Sequence, residues 1–180
     1  SLDKEKYNIF LFTAKDGLLI DEAFSIDKLT LHRSRFLERP INPFKDILAL
    51  VEIYSFIRKN RIQIVHTHGS KAGILGRFAA KLARTPVIIH TVHGWSFHDY
   101  QPGMASYLYL ILEKICAGFS SKIIVVSNFD KNKGLKSFIG REEQYIMIRY
   151  GLDANKFKSR EGRSESRKVL GINNTDLAVG

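Results

Sequence analysis

The sequence predicts an α/β fold, a Rossmann-like parallel sheet with helices on both faces. Two observations carry that expectation. Short runs rich in β-branched residues alternate with helical patterns of a dozen residues or more, the length a parallel crossover needs. Polar and ionisable residues also gather directly behind the strand patterns, where ligands bind in sheets of this kind.

Residues 7–13 (YNIFLFT) read as a strand, and 28–36 as a second with period-two alternation. A helix then opens with Asn42 as cap and Pro43 at its first position, where a missing N–H costs nothing. Phe44, Ile47, Leu48, Val51 and Tyr54 form its expected core stripe, and it should end near Asn60. Residues 62–65 read as a buried strand running into His66-Thr-His68-Gly-Ser70. Ser70 is expected to cap the next helix, with Ile74, Phe78 and Leu82 inward. Residues 87–92 form a strand that runs into His93-Gly94, 104–119 a helix, and 122–126 a strand ending at Ser127-Asn128. A short helix to about Phe138 and a strand over 145–148 follow. Residues 156–168 are polar and linker-like, and 169–180 only begin another element.

The 180 residues carry 28 basic and 18 acidic side chains, a net charge of +10. From Arg58 to Arg84 every charged residue is basic. A surplus of this kind points to an anionic partner: nucleic acid, anionic lipid or a phosphorylated ligand. One cysteine, Cys116, excludes a disulfide framework and fits a reducing compartment. No apolar run reaches the ~18 residues that cross a bilayer, and the first residues lack a signal-peptide pattern. The expectation is a soluble, cytoplasmic protein.

The residues behind the strands carry the chemistry. His66 and His68 share one face of an extended chain. Ser70 and the free N–H groups of the next helix make an anion site. Lys71 stands in the first turn, where a cation is unfavourable unless something negative lies beside it. Gly73 allows close backbone approach. His93, beside Gly94, can serve as general base or hydrogen-bond donor, and Trp95 offers a flat surface for a sugar ring or lipid. The same histidines leave a metal-dependent hydrolase open, since a His-x-His pair can hold zinc. Against it, His90 and His93 fall on opposite faces, and no acidic residue ends a central strand. A basic nucleic-acid module is a third reading, but no helix-turn-helix, RNA-binding or zinc-finger pattern is present.

The series His66-Thr-His68-Gly-Ser-Lys-Ala-Gly73, Thr91-Val-His93-Gly94, Val125-Val-Ser127 and Arg149-Tyr-Gly-Leu-Asp153 through Phe157 resembles the N-terminal half of the family 4, or group 1, retaining glycosyltransferases, which have the GT-B fold. The likeness is greatest to enzymes of bacterial exopolysaccharide, O-antigen and capsule assembly.

That resemblance implies an acceptor-side domain over 1–157, with a linker and the start of a donor-binding domain over 158–180. It implies a nucleotide-sugar donor, a lipid-linked or saccharide acceptor, no resident cofactor or metal, no nucleic acid, and work at an anionic membrane surface on the cytoplasmic side. The basic stretch from Lys71 to Arg84 and the loop with Trp95 would meet the lipid. His93 matches the histidine of the catalytic cleft. His66, His68, Ser70 and Lys71 match the loop and helix start that face acceptor and cleft, and Ser127 a serine lining the same space. Tyr150 stands where the family usually has asparagine. The family's first strand would precede Tyr7 and lie centrally, so the sheet is expected either to close up there or to keep a gap. A chain without that strand and without the donor-binding half is expected to have little or no transferase activity alone.

Overall fold

In a computed structural model, residues 3–97, 103–151, 163–173 and 175–177 are described. The chain divides into two units, Ser1–Arg149 and Tyr150–Gly180.

The first unit alternates strands and helices in the expected order, with one further short helix between the first two strands that was not expected. They are β1 (Ile9–Ala14), α1 (Ile20–Phe24), β2 (Leu29–Ser34), α2 (Pro43–Lys59), β3 (Ile64–His68), α3 (Ser70–Leu82), β4 (Val87–Val92), α4 (Gly103–Phe119), β5 (Lys122–Val125), α5 (Asn128–Lys136) and β6 (Tyr145–Met147). Every strand pairing is parallel. β1 and β2 form one sheet, while β3-β4-β5-β6, in that order, form another.

The division between the sheets falls where a central strand was expected to be missing, and the chain leaves it open. Phe12 of β1 and Val65 of β3 pack against the same apolar cluster, which includes Ile53 and Ile57 of α2, yet no ladder joins the two strands. α2 therefore spans both sheets, and its aromatic Phe56 lies 5.4 Å from the Phe12 ring. A second cluster, with Trp95, Ile123, Val125, Ile139 and Tyr145, holds the far side of the larger sheet.

Local signals set the helix starts. Asn42 caps α2, its side chain accepting from Lys45 N at 3.2 Å, with Pro43 in the first turn. The core stripe differs from expectation. Ala49, Ile53 and Ile57 face inward, whereas Phe44 is 72% exposed and Ile47 and Val51 also point outward. α2 is apolar on two faces, so periodicity fitted either, and the small Ala49 suits close packing. On α3 the inward residues are Gly73, Ile74, Gly76, Arg77, Ala79 and Ala80, while Leu82 is exposed. Its glycines and alanines bring the helix close to the sheet.

In the second unit, α6 (Arg163–Val169) is closed by Arg167, whose Nε and Nη2 both donate to the Asn173 carbonyl, at 2.9 and 2.7 Å. Residues 152–162, with most of the expected linker and the end of the Arg149-to-Phe157 series, lie outside the described residues.

Candidate functional site

β3 runs to His68, so both histidines of the His-x-His pair belong to the strand itself. Its register against β4 sets Thr67 opposite His90 and His68 opposite Thr91. At the end of β3, Gly69 has φ +69°, and just past β4 Gly94 has φ +130°. L side chains rarely take either value, which explains glycine at both exits.

These exits bring three imidazoles together. His66 Nε2 lies 2.7 Å from Thr91 Oγ1, and His68 Nδ1 lies 2.9 Å from His93 Nε2. The His66 and His68 rings are 4.3 Å apart, and those of His68 and His93 5.2 Å. Burial, and then the charge of His93, lowers the pKa of His66. Burial, followed by His66 and His93, lowers that of His68. One proton serves the bond between His68 and His93, so at least one of the two rings is neutral while it holds.

Ser70, His90, Thr91, His93, Gly94 and Trp95 line a single open crevice at this edge. Its inner wall is polar and tightly built. His90 is 3% exposed and bonded through Nδ1 to Thr67 Oγ1 at 2.9 Å. Burial, with Arg77 next, holds its pKa down to about 2, so this ring stays neutral. Gly73 faces that ring: a Cβ there would meet His90 Cε1 at 2.6 Å. Gly73 therefore makes room for a histidine, and its own N–H is spent on the Gly69 carbonyl.

The other expected ligands are held differently from expectation. Ser70 is the first helical residue, not the cap; Gly69 holds that place, and no side chain caps the helix. Lys71 turns away toward α2, bonding the Pro40 carbonyl and pairing with the Asp46 carboxylate. The negative partner that its helix-start position demands is thus internal. Trp95 is 7% exposed, its indole N–H donating to Asp130 O at 2.8 Å. Ser127 caps α5, accepting from Asp130 N and donating to Asp130 Oδ2 at 2.6 Å. Asp130 joins these two residues in a brace behind the crevice. Arg77 is buried as well, while Lys81 and Arg84 of the Lys71-to-Arg84 stretch are exposed.

One residue of the crevice escaped the sequence reading. Glu113 of α4 lies at its floor and meets Arg77 Nη2 at 2.8 Å, the two side chains 2% and 1% exposed. Arg77 Nε donates to the Gly73 carbonyl at 2.9 Å, fixing the fork. Burial pushes the Glu113 carboxyl up, against the pull of Arg77. The available signal was a lone acidic residue in an otherwise apolar helix.

The rim thus offers imidazole nitrogens, hydroxyls and the first N–H groups of α3, donors suited to an oxygen-rich or anionic ligand. Neutral imidazoles can also move a proton near neutral pH. Among the described residues, no group of three or more His, Cys, Asp or Glu side chains is placed to hold a metal ion.

Comparison with known proteins gives a consistent picture. The family model described as Glycosyltransferase Family 4 matches residues 1–156. An Escherichia coli UDP-Gal:alpha-D-GlcNAc-diphosphoundecaprenol alpha-1,3-galactosyltransferase is 33% identical over 95% of the chain and 44% of its own length. The Staphylococcus aureus capsular polysaccharide biosynthesis glycosyltransferase CapM is 27% identical over 64% of the chain and 30% of its own length. Among solved structures, Anabaena Alr3699/HepE in complex with UDP and glucose aligns with a TM-score of 0.66 at 17% identity, covering 90% of this chain and 42% of that one. The chain spans less than half the length of these proteins.

Proposed function

This chain belongs to glycosyltransferase family 4, and from that premise we propose that it forms the acceptor-side half of a retaining transferase. The enzyme moves a sugar from a nucleotide-sugar donor to a lipid-linked acceptor in bacterial surface polysaccharide synthesis. The work is done at the cytoplasmic face of the membrane, with no resident cofactor. The E. coli relative named for a diphosphoundecaprenol acceptor and the capsular polysaccharide relative support this reading.

The observation that carries it is the convergence of His66, His68 and His93 on one rim beside Ser70 and the start of α3. His93 would meet the transferred sugar or the acceptor hydroxyl. Ser70 and the helix N–H groups would hold acceptor phosphate, where the dipole favours negative charge. Transfer with retention and without an essential metal leaves the chain's part as positioning and proton handling.

The test uses the full-length enzyme, a UDP-sugar carrying a labelled sugar, and a polyprenyl-diphosphate-linked acceptor. Labelled lipid product that forms in the presence of a chelator and is lost with His93→Ala supports the reading. No product with any lipid-linked acceptor, or turnover unchanged in His93→Ala, defeats it.

A further inference from the structure

The floor of the crevice holds a buried ion pair that the proposed chemistry does not use. Glu113 comes from α4 and lines the crevice beside Ser70, His90, Thr91 and His93. Its side chain is 2% exposed, and that of Arg77 1%. A pair so deep is a poor device for stability alone, because well-packed apolar side chains of similar volume often do as well or better.

The geometry of the pair is incomplete on both sides. Arg77 Nε is spent on the Gly73 carbonyl at 2.9 Å. The guanidinium therefore meets the carboxylate through Nη2 alone, at 2.8 Å to Oε2, where an unencumbered fork makes two parallel bonds. Arg77 Nη1 is left buried without a hydrogen-bond partner among the described residues. Glu113 Oε1 likewise takes no hydrogen bond from them. A buried charged group short of a donor costs more than an ordinary missing hydrogen bond. In the wall of a crevice, such an oxygen calls for a donor from outside the chain.

The surroundings select the class of donor. Arg77 cancels the charge of Glu113, so the floor attracts a metal ion or an ammonium group far less than a bare carboxylate does. The carboxylate itself disfavours a phosphate laid against it. Around it stand the Ser70 and Thr91 hydroxyls and the neutral His90 ring, none of them charged. A few fixed polar groups of this kind orient a neutral ligand, and the neutral donor that fits Oε1 is the hydroxyl of a sugar ring.

We propose that Glu113 is a specificity-determining residue, whose free Oε1 accepts a hydrogen bond from one hydroxyl of the hexose that enters the crevice. The hydroxyl belongs either to the sugar being transferred or to the sugar of the acceptor. The proposal rests on the sugar-transfer reading for its class of ligand, and its binding test needs no transfer.

The first experiment follows the NMR resonance of the Glu113 carboxyl carbon in full-length enzyme, isotope-labelled at glutamate. The enzyme is titrated with the methyl α-glycosides of galactose, glucose and N-acetylglucosamine. At least one glycoside should shift the resonance, and one of its singly deoxygenated analogues should not. No shift with any of the three, or the same shift with every deoxy analogue, overturns the proposal. The second experiment measures KM in Glu113→Gln for the UDP-sugar and for the polyprenyl-diphosphate-linked acceptor. One of the two values should rise roughly tenfold or more while the other stays in place, a split that a merely structural role does not produce. A raised donor KM assigns the hydroxyl to the transferred sugar, and a raised acceptor KM assigns it to the acceptor. Equal changes in both, or no change in either, overturn the proposal. If Glu113→Gln does not fold, the deoxy series decides alone. A full-length enzyme that transfers no sugar yet shows the deoxy-sensitive shift defeats the functional reading and leaves this one standing.

Discussion

The imidazoles of His68 and His93, 25 residues apart in sequence, share a hydrogen bond of 2.9 Å across the ends of neighbouring strands. Neither ring alone specifies the other's position. The register of β3 against β4 does, and the two glycine exits then turn the chain off the sheet. A ligand reaching His93 meets a ring whose Nε2 is already oriented by His68.

In the full-length enzyme His93→Ala should lower kcat on the order of 100-fold with little change in donor KM, as expected for a group that acts in proton transfer. His68→Ala should cost less, roughly tenfold, and displace the acidic limb of the pH–rate profile. Parallel kcat and KM measurements separate the two, and equal losses without a profile change would reduce His68 to packing.

The buried pair of Arg77 and Glu113 gives the largest expected stability effect. Arg77→Met or Glu113→Leu alone leaves an uncompensated buried charge and should cost about 3–5 kcal/mol. The double variant should recover much of that loss. Urea unfolding of the three variants checks it, and additive losses would show that the pair is uncoupled.

Low pH should destabilise the fold through His90. Its folded pKa lies at about 2 against 6.5 for the free side chain, so only the unfolded chain takes up this proton. The stability it confers is complete above pH 6.5 and falls as the pH drops below that value. A histidine of this kind steepens the decline by about 1.4 kcal/mol per pH unit. His66 and His68, shifted the same way, add to it. Urea midpoints measured from neutral pH down to about pH 5 should show a shallower slope in His90→Gln.

Gly73→Ala and Gly118→Ala should differ in sign. The first drives a Cβ into the His90 ring and should cost about 1–3 kcal/mol. At Gly118, in α4, nothing lies within 4 Å, so alanine should be neutral or stabilising by up to about 1 kcal/mol. Thermal melts of both variants compare them directly.

Much of this was legible in the sequence, because periodicity and capping are local. The Asn42-Pro43 start of α2, the order of strands and helices, and the gathering of His66, His68 and His93 at strand ends all follow from neighbouring residues. The inward face of α2 was not legible. Phe44, Ile47 and Val51 make as good a stripe as Ala49, Ile53 and Ile57, and only packing against the sheets and α3 selects between them. Nor does anything local show that Trp95 and Ser127, each just past a strand, are both tied to Asp130.

The sequence by itself determined the alternation of elements, the family and the end of the sheet where polar groups collect, since each depends on residue types a few positions apart. The tertiary structure alone decided which charges meet: Lys71 with Asp46, and Arg77 with Glu113 across 36 residues. Opposite charges attract at a distance set by the folded path of the chain, and composition does not contain that path. The same physics leaves Tyr107 and Leu108 of α4 exposed, for a side chain's exposure depends on what the rest of the molecule brings against it.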